Sequence, residues 1–191
     1  MSTVLTPTAA DLDLTGDYQL DASHSRVGFS ARHAMVTKVR GSFNEVEGHA
    51  YFDAAHPANS RVSLTIQARS IDTRNEQRDN HLRSNDFFDM ETYPEIRFAS
   101  TAVDQIDDET YRVTGDLTIK DTTKPVTVDF TFTGVANDPW GNTRIGFEGS
   151  AAINRKDWGV NWNAPLEAGG LLVSEKIVLE FDVSAVKVAA N

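Results

Sequence analysis

From Gly16 onward, hydrophobic and polar residues alternate with a period of two along most of the chain. The cleanest run is Arg61–Arg69. Val62, Leu64, Ile66 and Ala68 share one face, and Arg61, Ser63, Thr65, Gln67 and Arg69 share the other. Tyr111–Lys120 repeats the pattern through Tyr111, Val113, Gly115, Leu117 and Ile119. Lys124–Thr133 does so through Val126, Val128, Phe130 and Phe132. Similar runs pass through Tyr18–His33, Phe43–Phe52, Ile96–Phe98, Thr143–Asn154 and Glu175–Val188. One buried and one wet face is the mark of antiparallel strands. Turn formers separate the runs at His56–Ser60, Asp107-Asp108, Asp121–Thr123 and Asn137–Asn142. The pattern predicts an all-β chain of roughly eight antiparallel strands. Closing them into a barrel removes exposed edges; a two-sheet sandwich gives the same alternation.

Asn80–Phe98 breaks the pattern. It sets Phe87, Phe88 and Met90 among charges and turn formers. Just before it, Thr73–Glu76 reads as a capping box, with Thr73 as N-cap and Glu76 reaching back. Glu76–Arg83 is long enough for two helical turns, with Leu82 as its apolar anchor, which predicts a short helix or lid on the barrel rim. Tyr93-Pro94 ends the crossover, because proline pushes the residue before it to extended geometry.

The inward parity collects Phe29, Phe43, Phe52, Leu64, Ile66, Ile96, Phe98, Leu117, Phe130, Phe132 and Phe147. That face is either a packed core or the lining of a pocket. Ala31, Ala68, Gly115, Gly149 and Ala151 share it, and small residues there leave volume. An antiparallel barrel of about eight strands either fills with side chains or holds one small ligand. With 191 residues the chain reads as one domain. Residues 1–15 read as a flexible tail and residues 16–191 as the barrel.

Charge and cysteine narrow the function. The chain has 28 acidic and 18 basic residues, net −10. That balance argues against nucleic acid and against docking on anionic membranes, although a local basic cluster still suits an anionic head group. Cysteine is absent, which removes disulfides, thiolate metal sites and cysteine nucleophiles. No apolar run is long enough for a membrane span. MSTVLTPTAADLDLTG has no basic n-region or apolar run of the signal-peptide kind, so a cytoplasmic address is expected.

Motifs for chemistry are sparse. The five histidines form no HxH, HxxxH or HExxH pair, so no metal is expected. There is no GxSxG elbow, P-loop or dinucleotide glycine fingerprint. Two polar residues fall on the inward parity: His33, after Phe29 and Ala31, and Arg155, after Ile153. Either is placed to meet a ligand head group, and a guanidinium fork suits phosphate. The plainer alternatives are a hydrogen-bonded rim histidine and a salt bridge from Arg155 to a nearby carboxylate. Trp158 and Trp162 follow Arg155 and either line the pocket or plug the barrel end.

Several segments together resemble the YceI-like family, lipocalin-like barrels described as polyisoprenoid-binding. They are YQLDASHSRVGF (18–29), VRGSF (39–43), SIDTRNEQRDNHLRSNDFFDMETYPEIRF (70–98), VTGDLTI (113–119), Lys124-Pro125-Val126 and INRKDWG (153–159). The central segment, with Thr73, Arg78, Asp79, His81-Leu82, Phe87-Phe88 and Tyr93-Pro94, is the most specific. Asp121-Thr122-Thr123 stands where a glycine-containing turn is expected. The resemblance implies an extended barrel with an apolar channel for an isoprenoid, quinone or fatty-acyl chain. It implies no catalysis and no other cofactor. The tail-binding set is then the inward residues above with Phe87, Phe88, Met90, Trp158 and Trp162; His33 and Arg155 are the head-group candidates. Many relatives are exported, a point on which this N-terminus departs. A hydrolase or isomerase using His33, His81 or Asp79, and an inert stress-response module, are the alternatives. A homodimer through a side of the sheet stays open.

Overall fold

The computed structural model describes residues 14–167 and 169–189. Residues 1–13, the bulk of the expected tail, lie outside the described residues. Leu14 and Thr15 belong to the fold instead. Leu14 is buried, and Thr15 Oγ1 accepts from Ala54 N at 3.1 Å.

In chain order the elements are β1 (Gly16–Leu20), β2 (Arg26–His33), β3 (Thr37–Phe43), β4 (Val46–Phe52), β5 (Arg61–Gln67) and β6 (Ile71–Asp72). Then come α1 (Glu76–Arg83), β7 (Glu95–Gln105), β8 (Thr110–Ile119), β9 (Thr122–Asn137), β10 (Thr143–Asn154) and β11 (Lys176–Lys187). Neighbours are antiparallel, and β1 pairs with both β4 and β11, so the sheet closes on itself. The ring is β1-β4-β5-β7-β8-β9-β10-β11, a closed eight-stranded barrel. The remaining strands add to the same sheet: β2 pairs with β11 beyond β1, β3 pairs with β2, and β6 pairs with β3.

The first break falls at Asp21. Its carboxylate accepts from Ser23 N, from Ser23 Oγ at 2.7 Å and from Arg144 of β10, and it bonds His24 Nδ1 at 2.8 Å. Four partners on one side chain fix the kink and let β1 and β2 take different directions against β11. Hydrogen bonds from Ser23 and then Arg144 hold this carboxyl well below the usual carboxylate range.

Two clusters fill opposite ends of the barrel. The lower one contains Leu14, Tyr18, Phe52, Ala54, Tyr111, Phe132 and Ile145, locked by edge-on contacts such as Phe52–Tyr111 at 5.4 Å. The upper one contains Val27, Ile66, Phe87, Ile96, Leu117, Trp158 and Val160 among others.

The crossover lies where the upper ladder stops. Among the described residues β6 pairs only with β3. Arg83 of α1 donates from Nε to Arg69 O at 2.8 Å and from Nη2 to Ile71 O at 3.0 Å, so the helix covers carbonyls that a further strand would otherwise meet. The helix forms where expected, but Asn75 caps it, its side chain accepting from Arg78 N at 2.9 Å. Thr73 is instead buried, donating from N and Oγ1 to Asp79 Oδ1 and accepting from Arg78 Nε. A capping-box pattern mistook this buried tie for a cap, because both use a hydroxyl just ahead of a helix.

Candidate functional site

Between the two clusters lies a cavity of about 310 Å³, toward the small end of known ligand sites. Its wall comes from inward positions on the strands together with Leu82 of α1, Phe87 and Phe88 of the crossover, and Arg155, Val160 and Val173. Of the expected tail-binding residues, Phe29, Phe43, Phe52, Leu64, Ile66, Phe87, Phe88, Ile96, Phe98, Leu117, Phe130 and Phe147 line it. Phe29, Phe43, Phe88, Phe98, Phe130 and Phe147 point inward yet stay only half-buried. In a filled core such rings lose nearly all accessible surface, so this remaining exposure belongs to an interior space.

Four residues of that set do not line the cavity. Phe132 packs in the lower cluster. Trp158 is 3% exposed and donates from Nε1 to Leu117 O at 2.9 Å, which makes it an end plug. Trp162 stacks edge-on with His81 at 4.6 Å and beside Phe87 at 5.3 Å, outside the lining. Met90 is half-buried after the helix, its N–H bonded to Arg83 O. Parity could not separate lining from plug, since both are large inward side chains. Leu179 and Phe181 of β11 and Val113 of β8 line the cavity as well, on the same alternation.

The small inward residues create less space than their size promises. A Cβ on Gly115 would lie 2.4 Å from Phe98 Cζ, and one on Gly149 would lie 2.9 Å from Phe130 Cδ1. The neighbouring rings already lie across these glycines. The cavity is therefore shaped by how aromatic rings fold against bare backbone.

Arg155 is buried and is the only arginine or lysine among the described lining residues. Among the described residues it pairs with no carboxylate. Nη1 donates to Val160 O at 2.6 Å, Nε to Ser174 O at 2.9 Å and Nη2 to Val173 O at 3.4 Å. These bonds tie the turn after β10 to the segment entering β11. They engage three of the five N–H groups a guanidinium carries. Burial lowers its pKa, and Glu175 opposes that shift.

His33 does not reach the cavity. It is exposed at the end of β2, where its backbone bridges to Val173. The alternation that carries Phe29 and Ala31 inward runs out at this turn. His81 bonds Asp86 through Nε2 at 2.8 Å, and Asp79 is consumed by Thr73. At Asp21, one ring nitrogen of His24 faces both Ser23 Oγ (3.1 Å) and the carboxylate, so no serine–histidine–aspartate relay is built. Among the described residues no three His, Asp or Glu side chains gather as a metal site, and no helix is long and apolar enough to cross a membrane.

A protein-family model for the YceI-like domain matches residues 18–185. The chain belongs to the YceI-like family. A UPF0312 protein of Photorhabdus laumondii is 40% identical over 173 residues, covering 87% of this chain and 88% of that one. Among solved structures, Burkholderia cenocepacia BcnA aligns with a TM-score of 0.76 at 25% identity, over 86% of this chain and 98% of BcnA. A polyisoprenoid binding domain from Saccharophagus degradans aligns with a TM-score of 0.68 over 90% of this chain and 98% of that domain. At 17% identity the latter likeness is one of fold. Both structures share the fold of the closed antiparallel barrel described above.

Proposed function

We propose that this YceI-like chain binds an isoprenoid or related long-chain lipid inside the barrel, as a carrier, storage or sequestration protein rather than an enzyme. One observation carries the reading: an apolar cavity inside the barrel, edged by half-buried inward aromatics. The Saccharophagus domain, described as polyisoprenoid binding, has the same fold. A five-carbon isoprene unit gains about 3–4 kcal/mol on burial before ordering costs. One charged hydrogen bond to a head group adds about 1.5–3 kcal/mol. The tail therefore sets affinity and the head group sets orientation. Arg155, with N–H groups to spare at the upper wall, is the head-group residue we propose; His33 is too far outside the lining to share that role.

Native mass spectrometry before and after organic extraction tests this. The expected result is an adduct that extraction removes and that an added prenol or fatty amide restores. Protein that shows one bare mass throughout and takes up neither compound contradicts it.

A further inference from the structure

We propose that the β2–β3 turn and the adjoining residues 169–173 form a tip that docks on an anionic lipid bilayer, where cargo enters or leaves the cavity. The inference rests on the lipid-binding reading.

Two anomalies coincide at this tip. The first is apolar exposure on an ill-suited backbone. Val36 N bonds His33 O at 3.0 Å, closing a β-turn within the three-residue 34–36 connection, with Ala34 (φ 51°) and Met35 (φ 62°) at its centre. Two positive φ values in a hairpin favour Asn-Gly, whereas this chain places a methionine there. Met35 is 67% exposed and Val36 77%. Leu171 on the adjoining loop is 38% exposed. The two segments are joined by Ala34 N to Leu172 O at 2.7 Å and by the His33–Val173 bridge.

The second anomaly is charge. Between Asp21 and Glu45 the chain holds Arg26, Arg32, Lys38 and Arg40 and no carboxylate. Arg32 and Lys38 face each other directly in register, a like-charge pair that disfavours the hairpin. Arg32, Lys38 and Arg40 are exposed, and none pairs with a carboxylate among the described residues. Glu167 is the one carboxylate between Gly159 and Ser174.

A few apolar side chains ringed by cations match the interface of an anionic bilayer, which rewards shallow insertion and basic residues together. The net charge of −10 argued against such docking. Charges beyond about 8 Å are largely screened at physiological salt, however, so the local cluster decides. The position also serves the cavity, since Ala31 and Val173 line it and lie beside the tip. A long apolar chain then moves between bilayer and barrel without crossing water.

The test is flotation with phosphatidylcholine vesicles containing about one-third phosphatidylglycerol, alongside uptake of a prenol delivered from ethanol. Wild type is expected to float with these vesicles and less so with pure phosphatidylcholine. Lys38→Gln with Arg40→Gln is expected to weaken binding at least tenfold, at about fivefold per charge. Ala34→Asn with Met35→Gly suits the turn better, so it is expected to melt higher while binding vesicles several-fold more weakly. All three proteins are expected to take up the prenol alike. Wild type that takes up prenol but ignores anionic vesicles overturns the docking inference alone, as do variants that bind vesicles like wild type. Wild type that takes up no prenol removes the lipid-binding reading and this inference with it.

Discussion

Phe98 lies so close over Gly115 that an added methyl must displace the ring. The same methyl would lie 2.6 Å from Ala99 O, so the backbone of β7 must shift along with the ring that lines the cavity. Gly115→Ala is therefore expected to cost about 1–3 kcal/mol and to reduce prenol uptake, read from urea midpoints and a binding titration. Phe88 presents the opposite case. It lines the cavity and meets Phe43 edge-on at 5.9 Å. On the lipid-binding reading, truncating it removes a contact to the tail, whereas His81 touches Phe87, Trp162 and Asp86 from outside the lining. Phe88→Ala is expected to shorten lipid retention more than His81→Ala; the reverse order in a retention assay would show the roles exchanged. Asp21 gives a pH signature. Its folded pKa lies below the unfolded value of about 3.9. Its contribution is thus present above about pH 4 and lost as pH falls through the folded pKa. Asp21→Asn is expected to lower stability near neutral pH by about 1–2 kcal/mol, the gap to wild type closing in acid. A gap constant down to about pH 2 would mean the carboxylate's charge does not matter.

The crossover is the element whose role changes most between sequence and structure. Its apolar residues and its helix are legible because they interrupt a period-two pattern. Its anchoring is not. Thr73, Arg78 and Asp79 form one buried knot, and Arg83 covers the carbonyls of Arg69 and Ile71. Local spacing shows which polar residues stand near a helix start, but which of them turns inward depends on where β6 ends. Asp79→Ala leaves the Thr73 N–H and hydroxyl without their acceptor, at a cost of about 1–3 kcal/mol. The expected readout is faster hydrogen exchange confined to residues 73–94, with the lower barrel unchanged. Uniformly faster exchange would show that the crossover does not open on its own. The same distinction applies to Arg155. Its inward parity is visible in the sequence, but its three carbonyl partners come from residues 160, 173 and 174, brought together only by the fold.

At the scale of the whole molecule, alternation is enough to reach an antiparallel all-β fold, because each strand must keep one dry face; barrel over sandwich rests on the YceI-like resemblance and on the β1–β11 pairing that closes the sheet. Nor is alternation enough to tell a filled interior from a cavity. Phe132 and Phe130 share a strand and a parity, yet one packs in the lower cluster and the other lines the space. The difference follows from their ring partners, Phe147 beside Phe132 and Phe181 beside Phe130, which only the closed sheet brings together. The central claim is that this space holds a lipid tail, and it makes affinity a function of tail length. Calorimetric titration with prenols of increasing length tests it most directly. Affinity is expected to rise more than about tenfold with each added isoprene unit until the cavity is full, then level off. No binding at any length, or binding that follows the head group and ignores the tail, would contradict it.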